Sequence, residues 1–366
     1  MRRELQWRPP GASGRILHVV GCITDEVRAF LAPATHTLAA AGCEQSIVMI
    51  DALRHRHHMA GLHESVDLVL VPKLSNPIHQ WRSIGKACRE QLHDTSLQAV
   101  HLHGLWPGLV GAHAVRATNV HVPTFYAPHA AHSASTSRFG ALMFTLLRPA
   151  MRPARHAVHL KPAKDEPVFE SWKAGGLVEG TVDESFFKAE RREARHPLIV
   201  TCGRTQGARH SELFAQLAVL LGGEDLRVSF NWLGLVDDVS RARMAAANVG
   251  VFDVMNDAEC ARRLSAGWIY LAPASTRGFA LHLAEAMAAG LPCVALDCMQ
   301  HREVINDGET GFLCKTSADM MECIATLIDD PELRLRIGES ARREARQRFI
   351  ESAFGARLLA AYAPAS

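Results

Sequence analysis

What the sequence lacks excludes several protein classes. Its 366 residues contain no apolar run of about 18, the length that a transmembrane helix requires. Lys and Arg number 40 and Asp and Glu 38, so the net charge of +2 provides no strong basic surface, and we expect no nucleic-acid partner. A secreted enzyme, a collagen, a coiled coil and a pore do not fit this globular composition.

The cysteines lack an ordered pattern. Nine are present, and the closest in sequence, Cys293 and Cys298, do not form a Cys-x-x-Cys motif. This spacing favours reduced thiols over a disulfide framework or a zinc site. Residues 1–4 are followed by Trp7, Arg8 and two prolines, which make a poor signal peptide. We therefore expect a cytoplasmic protein.

Several catalytic motifs are missing as well. No Gly-x-Gly-x-x-Gly follows a predicted strand, which disfavours a dehydrogenase, and no Gly-x-Ser-x-Gly elbow is present. Residues 63–67 fall short of the zinc motif His-Glu-x-x-His. The run of Arg and His at 54–58 is interpreted as an exposed basic loop. We expect no metal ligands.

Short apolar runs recur in the first half of the chain, and those at 15–21 and 99–104 end in glycine. Residues 15–21 predict a buried strand, 27–41 a helix that Gly42 ends, and 46–51 a second strand, together a βαβ unit. The pattern continues with predicted strands at 68–71, 99–104 and 122–129 and a predicted helix at 81–92. Such alternation predicts an open α/β sheet with helices on both faces.

A second series of the same kind follows the polar stretch 188–197, the best linker candidate. Its predicted strands are 198–204, 228–234, 267–273 and 292–297. Pro331 suggests a helix start, and a long helix is expected from about Glu339. We predict domains at 1–187 and 197–345, with a helix at 346–366 that crosses toward the first domain.

The segment 277–292 carries the strongest chemical signal. It predicts a glycine turn that opens a helix directly after a strand, where free N–H groups and the positive helix end favour a phosphate. Glu285 falls about two turns into this helix, where its carboxylate can accept both hydroxyls of a ribose. An ordinary strand-to-helix junction explains the residues equally well.

Together with Asp297, Glu303 and residues 307–313, this segment resembles the family 4 glycosyltransferases. The family pattern is Glu-Gly-Phe-Gly-Leu, three residues, then Glu-Ala-Met-Ala-x-Gly-x-Pro-Val-Val. The resemblance covers nearly the whole chain and is strongest from about 265 to 350. It implies the GT-B fold, in which two Rossmann-like α/β/α domains face each other across a cleft, and a retaining reaction that needs neither a metal nor a cofactor. The absence of Asp-x-Asp agrees with this, since metal-bridged sites of the GT-A type use that motif.

The resemblance implies a role for each matching residue. Glu285 would hold the ribose, Arg204 and Arg209 the diphosphate, and His129 the donor sugar. Further donor contacts are expected from the first glycine loop and from the start of the helix; these residues are Gly21, Arg277, Gly278, Phe279, Ala280 and Leu281. His103, on the strand that the family places at the cleft, has an open role, as a ligand contact or as a structural residue.

The chain departs from the family pattern at several places. Arg277 replaces the first glutamate, which changes the local charge by two units and marks Arg277 as a candidate for donor selectivity. Arg209 stands where lysine is usual, and Met299-Gln300 replaces a pair of glycines. Gly21 lacks the second glycine of its loop.

The resemblance predicts a hexosyltransferase that uses a nucleotide diphosphate sugar. UDP is the commonest nucleotide in the family. The acceptor would be a glycan, in particular a lipid-linked saccharide for bacterial surface polysaccharide. Residues 138–155 are basic and apolar, and either a core helix with a basic rim or a membrane-surface helix fits them. The second interpretation predicts peripheral contact at the inner face of the membrane. Two alternatives stay open: a catalytically degenerate scaffold and a nucleotide-sugar epimerase.

Overall fold

A computed structural model describes most of the chain. The described residues are 14–23, 25–51, 59, 61–118, 120–127, 129, 156–159, 173–177, 179–203, 208–222, 228–254, 256–275 and 279–362. The chain divides into two compact units, one formed by Met1–Thr181 together with Ser352–Ser366 and the other by Val182–Glu351. The predicted linker at 188–197 thus falls within the second unit, and the predicted segment 346–366 is divided between the two.

The first unit contains a parallel seven-stranded sheet in the order β3-β2-β1-β4-β5-β6-β7. Its strands are β1 Arg15–Val19, β2 Glu44–Asp51, β3 Asp67–Pro72, β4 Leu97–His103, β5 Thr124–Ala127, β6 His156–His159 and β7 Lys173–Leu177. Its helices are α1 Asp25–Ala40, α2 Pro77–Leu92 and α3 Leu105–Thr118, and it also contains most of α12, Glu351–Tyr362. The strand order after β1 reverses at β4, as in a Rossmann fold.

Local sequence explains where these elements begin. β1 and β4 are buried almost throughout because both faces of a doubly wound sheet are covered. α2 begins at Pro77, before the predicted Trp81, since the Oδ1 atom of Asn76 accepts hydrogen bonds from the backbone N–H groups of Ile78 and His79. The predicted start of this helix is therefore wrong by one turn.

α12 completes the core of the first unit. Phe354, Leu358 and Tyr362 pack with Ile16 of β1 and Phe30 of α1. The rings of Phe30 and Phe354 meet edge to face with centroids 5.4 Å apart. The last helix in the chain is therefore a structural part of the first sheet domain.

The second unit contains a parallel six-stranded sheet in the order β10-β9-β8-β11-β12-β13. Its strands are β8 Leu198–Cys202, β9 Ser229–Leu233, β10 Val249–Phe252, β11 Ile269–Ala272, β12 Cys293–Leu296 and β13 Gly311–Cys314. Its helices are α4 Glu184–Lys188, α5 Ala208–Leu221, α6 Asp238–Ala246, α7 Asp257–Leu264, α8 Leu281–Ala288, α9 Met299–Arg302, α10 Ser317–Asp329 and α11 Pro331–Arg348. Both sheets thus confirm the predicted fold class of two Rossmann-like α/β domains.

α11 supports the helix that carries Glu285. It begins at Pro331, the helix start that the sequence predicts, because the Asp330 side chain accepts a hydrogen bond from the backbone N–H of Leu333, and it continues through Glu339, where a separate long helix was expected to begin. Gly338 of α11 lies against the carbonyl oxygen of Gly290, just beyond α8, where an added Cβ atom would collide with backbone. The absence of a side chain at 338 therefore permits the close packing of α11 on α8.

None of the helices in the described ranges combines the length and the apolar character needed to cross a bilayer. All nine cysteines lie within those ranges, and they are free thiols, as predicted.

Candidate functional site

In the second unit, Glu285 lies on α8, which follows the carboxyl end of β11. Ligands of parallel α/β sheets bind at this edge. Glu285 as a whole residue is 6% exposed, and its Oε2 atom lies 2.8 Å from Nδ1 of His282, one turn earlier. A buried carboxylate that is held in place by one hydrogen-bond partner is suited to accept hydrogen bonds from the hydroxyl groups of a ligand.

The start of α8 is built from backbone alone. Ala280 occupies the N-cap position and provides no side-chain hydrogen bond to the helix. Phe279 is half-buried and its carbonyl accepts from the N–H of Leu281 at 2.8 Å. Arg277 and Gly278, which precede these residues, lie outside the described ranges. Among the described residues no side chain caps this helix start, and the anion site that the sequence predicts here stays a prediction.

The two predicted phosphate-binding arginines follow β8. Arg204 lies outside the described residues, and Arg209 lies in the first turn of α5, with only its backbone described. The neighbouring His210 is buried, with its Nε2 atom 3.3 Å from Oγ1 of Thr201. Burial lowers the pKa of His210 to about 4, so this ring is neutral near pH 7.

Asp297, one of the residues that carry the family resemblance, is engaged in an ion pair. Its two carboxylate oxygens lie 2.5 Å and 2.8 Å from the Nε and Nη2 atoms of Arg302. The hydrogen bonds from Arg302 lower the pKa of Asp297. Met299, where the family has glycine, begins the short helix α9 and is 38% exposed. The departure from glycine thus adds an exposed apolar side chain at this edge of the sheet.

In the first unit, His129 comes two residues after β5. It adopts a left-handed backbone conformation with φ of 48°, which is uncommon for a residue with a side chain. The ring is 4% exposed, and its Nε2 atom lies 2.9 Å from Nδ1 of His103. Burial lowers the pKa of His129 to about 4. A strained, buried, neutral histidine after a strand has the properties of a functional residue.

Gly21, the predicted donor contact after β1, has a clear structural reason to be glycine. An added Cβ atom would lie 2.8 Å from Cγ of Pro107, in the first turn of α3. The carbonyl of Gly21 accepts a hydrogen bond from the N–H of Ile50 at 2.9 Å. The close approach of α3 to β1 therefore requires glycine at this position, whatever else the loop contacts.

The surroundings of His129 do not follow from the sequence motifs. We call the four buried rings of His18, His101, His103 and His129 the histidine cluster. Nδ1 of His18 lies 3.2 Å from Nε2 of His103, and Nδ1 of His101 lies 2.6 Å from the hydroxyl of Tyr362. Burial lowers the pKa of every member.

A signal for this cluster exists in the sequence. His101 and His103 occupy alternate positions of β4 and so point to one face of the sheet. His18 of β1 pairs in register with His101 and points the same way. Histidines on the same face of two neighbouring strands are expected to meet. The sequence alone does not show that β1 pairs with β4, which is what brings His18 next to His101.

Three members of the cluster could hold a metal. In the described part of the chain, His18, His101 and His103 are the one group whose nitrogen atoms approach within 4.8 Å of one another. Neutral imidazoles suit zinc or copper. The group contains no carboxylate or thiolate to balance a divalent charge in this buried place. The expectation of no metal ligand stays a prediction.

The comparisons with known proteins agree with this geometry. Residues 235–344, which include α8 and Glu285, match the family model of glycosyl transferases group 1. The MMP alpha-(1->4)-mannosyltransferase of Mycolicibacterium hassiacum is 33% identical over 126 residues, 32% of this chain and 30% of that protein. The lipopolysaccharide core biosynthesis mannosyltransferase LpcC of Rhizobium leguminosarum bv. viciae is 39% identical over 90 residues, 24% of this chain and 25% of that protein. This chain thus spans less than a third of either relative.

Solved structures resemble the whole chain. Anabaena Alr3699/HepE, in a complex with UDP and glucose, superposes with a TM-score of 0.73 at 14% identity, over 94% of this chain and 97% of that one. A glycosyltransferase from Rickettsia africae ESF-5 superposes with a TM-score of 0.72 at 14% identity, over 96% of this chain and 98% of that one, and at this identity both likenesses show the fold. The predicted resemblance to glycosyltransferases is therefore confirmed by the family match and by the fold.

Proposed function

We propose that this chain, whose residues 235–344 match the glycosyl transferases group 1, is a retaining glycosyltransferase of family 4 type. It would transfer a hexose from a nucleotide diphosphate sugar to a glycan, with UDP as the nucleotide. The observation that carries the proposal is the position of Glu285, buried at the start of a helix beyond the carboxyl end of a parallel strand.

The roles of the residues follow from the chemistry of the leaving group. Departure of a nucleoside diphosphate places negative charge on the glycosidic phosphate, which Arg204 and Arg209 would neutralise together with backbone N–H groups from Gly278 to Leu281. Two permanently charged guanidinium groups supply the charge that a divalent cation supplies in other transferases. Glu285, oriented by His282, would accept the ribose hydroxyls. His129 of the first unit would meet the donor sugar.

Binding of nucleotides tests the proposal. We expect UDP to bind with micromolar affinity by calorimetry, more tightly than GDP or ADP, and Glu285→Gln to weaken it about 10- to 100-fold, the cost of a hydrogen bond to a charged group. Glu322→Gln on α10, an exposed residue of the same unit, is the matched control and should bind as the wild type does. Equal binding by the wild type and Glu285→Gln would contradict the ribose role.

The acceptor is proposed to be a lipid-linked saccharide of a surface polysaccharide. The support is the basic and apolar composition of residues 138–155, which lie outside the described residues. Flotation with vesicles that contain anionic lipid should carry the protein upward, and neutral vesicles should carry less of it. Protein that stays wholly unbound in both cases would contradict membrane contact.

A catalytically degenerate scaffold is the second candidate, and Arg277 favours it because the family has glutamate at this position. Incubation of the wild type with UDP-sugars separates the candidates. Transfer that requires an acceptor supports the proposed reaction, and nucleotide binding without transfer supports the scaffold. A rearranged sugar formed from the donor alone would instead identify an epimerase.

A further inference from the structure

Four apolar side chains form an exposed surface at one edge of the first sheet. Ile78 is 63% exposed, Trp106 48% and Leu74 39%, and Trp81 is partly buried. We call these four side chains the tryptophan surface. Leu74 lies in the loop between β3 and α2, and the other three lie in the first turns of α2 and α3, which follow β3 and β4. The surface is therefore at the carboxyl ends of parallel strands, the edge where such sheets bind their ligands.

Contacts within the first unit join the four side chains. The rings of Trp81 and Trp106 stack with centroids 6.2 Å apart and planes 25° apart. Ile78 lies one turn before Trp81 on α2, so the two side chains share a helix face. The backbone N–H of Leu74 donates a hydrogen bond to Oε1 of Gln80 at 2.7 Å, which holds the loop against α2. The exposed apolar groups are thus neighbours, whereas single exposed apolar residues are ordinary.

The fold holds Trp106 in place. It follows Gly104, whose φ of 73° makes the turn from β4 into α3. The next residue, Pro107, packs so close to Gly21 that an added Cβ atom there would lie 2.8 Å from its Cγ. Trp81, on which Trp106 stacks, packs against the buried core of the unit. A surface that is already ordered loses little conformational entropy when it binds.

The charges around the tryptophan surface have one sign. Residues 68–89 contain four Lys or Arg and neither Asp nor Glu, and residues 105–118 also lack both acids. Two of the cations, Lys73 and Arg82, are exposed and adjoin Leu74 and Trp81 in the sequence. Anionic lipid head groups attract such cations, while apolar side chains enter the boundary between head groups and acyl chains. Tryptophan is enriched at that boundary.

Two other occupants are less compatible with this surface. Each partner in a stable dimer buries roughly 800 Å², more than four partly exposed side chains supply. The hydroxyl groups of a soluble saccharide would need hydrogen-bond partners, which the side chains of Leu74 and Ile78 do not offer. The composition and the charge together favour a lipid surface.

We propose that the tryptophan surface, together with Lys73 and Arg82, is the place where the first unit contacts an anionic lipid membrane. The contact stands on the described residues of this unit and is separate from the segment 138–155. That the membrane presents a lipid-linked acceptor to this edge, where His129 follows β5, rests on the proposed function.

Flotation with vesicles tests the contact. Vesicles of equal parts phosphatidylglycerol and phosphatidylcholine should bind the wild type, and less so at high salt, because ions screen the cations. Ile78→Ser combined with Trp106→Ser should weaken binding about 10-fold or more, and Lys73→Ser combined with Arg82→Ser about 10- to 30-fold. The matched control is Val219→Ser combined with Leu220→Ser on α5, which removes side chains that are 60% and 61% exposed. Equal binding by the Ile78 and Trp106 variant and by this control would overturn the proposal.

Fluorescence locates the contact at one residue. The chain has six tryptophans, and brominated phosphatidylcholine in the mixed vesicles should quench the wild type. Trp106→Phe should lose most of this quenching and still float, since phenylalanine keeps the apolar contact. Quenching that is unchanged in Trp106→Phe would overturn the proposal, because another tryptophan would then be the one in the lipid.

Further readouts separate this proposal from the proposed function. Vesicle binding through Trp106 without binding of UDP would leave the surface standing and contradict the transferase. UDP binding by a wild type that neither floats nor is quenched would overturn the surface and leave the donor site standing. Sedimentation that shows a dimer lost in Trp106→Ser, or a soluble oligosaccharide that shifts the Trp106 fluorescence when vesicles do not, would also overturn the lipid contact.

Discussion

Nδ1 of His282 lies 2.8 Å from Oε2 of Glu285, one helical turn apart at the start of α8. His282 is 33% exposed at its side chain and Glu285 only 8%, so the histidine is the more accessible member of the pair. The contact with His282 engages Oε2 of Glu285 and so sets the direction in which the other carboxylate oxygen points.

Loss of this orienting contact should weaken nucleotide binding less than loss of the carboxylate itself. We expect His282→Phe to weaken UDP binding about three- to tenfold, the range of one hydrogen bond, against 10- to 100-fold for Glu285→Gln. Calorimetry on both variants checks this order. A larger effect for His282→Phe than for Glu285→Gln would indicate that His282 itself contacts the nucleotide.

Gly338→Ala should destabilise the protein by about 1–3 kcal/mol, because the new methyl group would overlap the carbonyl oxygen of Gly290 and push α11 away from α8. Gly85→Ala is the matched control. Its Cβ would lie 3.4 Å from Val110, an ordinary contact, and alanine favours a helix interior by up to about 1 kcal/mol. Urea unfolding should therefore move in opposite directions for the two variants, and equal shifts would contradict the packing argument.

Stability should fall as the pH is lowered from 7 to 4. Burial lowers the pKa of His18 and of His129 from 6.5 to about 4, so between these values the unfolded chain binds more protons than the folded one. Each ring then weakens the fold by roughly 3 kcal/mol once the pH is below its folded pKa. Urea titrations at pH 7, 5.5 and 4.5 measure the loss.

His129→Phe provides the control for this pH dependence, since it removes one of the buried rings that must be protonated in acid. The difference in unfolding free energy between pH 7 and pH 4.5 should be smaller in the variant than in the wild type. The same slope in both proteins would mean that His129 is already accessible to protons in the folded state.

Arg277→Glu should change which donor is preferred. The substitution moves the local charge by two units, and arginine favours a donor sugar that carries a carboxylate. We expect the wild type to bind UDP-glucuronate at least 10-fold better than the variant does, while UDP itself binds both alike; Arg277→Gln should be intermediate. Transfer from neutral UDP-sugars by Arg277→Glu alone would support the scaffold interpretation of the wild type.

The sequence predicts the sheet strands that are largely apolar and are followed by glycine, such as β1, β4 and β8. It does not predict β10 and β13, because each is four residues long and contains a glycine, so neither forms an uninterrupted apolar run. The place of Glu285 on a helix after a strand could be predicted from one strand-to-helix junction, whereas its role stays a prediction. The histidine cluster was missed because its members come from β1, β4 and the segment after β5, which only the strand order brings together.

The place of α12 in the first unit has a consequence for the order of synthesis. Val182–Glu351 is continuous, so a ribosome completes the second unit before it releases the helix that the first unit needs. Until then Ile16, Phe30 and His101 face the place that Phe354 and Tyr362 will fill. The domain that begins first is therefore the one that finishes last, and its apolar edge stays uncovered while the rest of the chain is made.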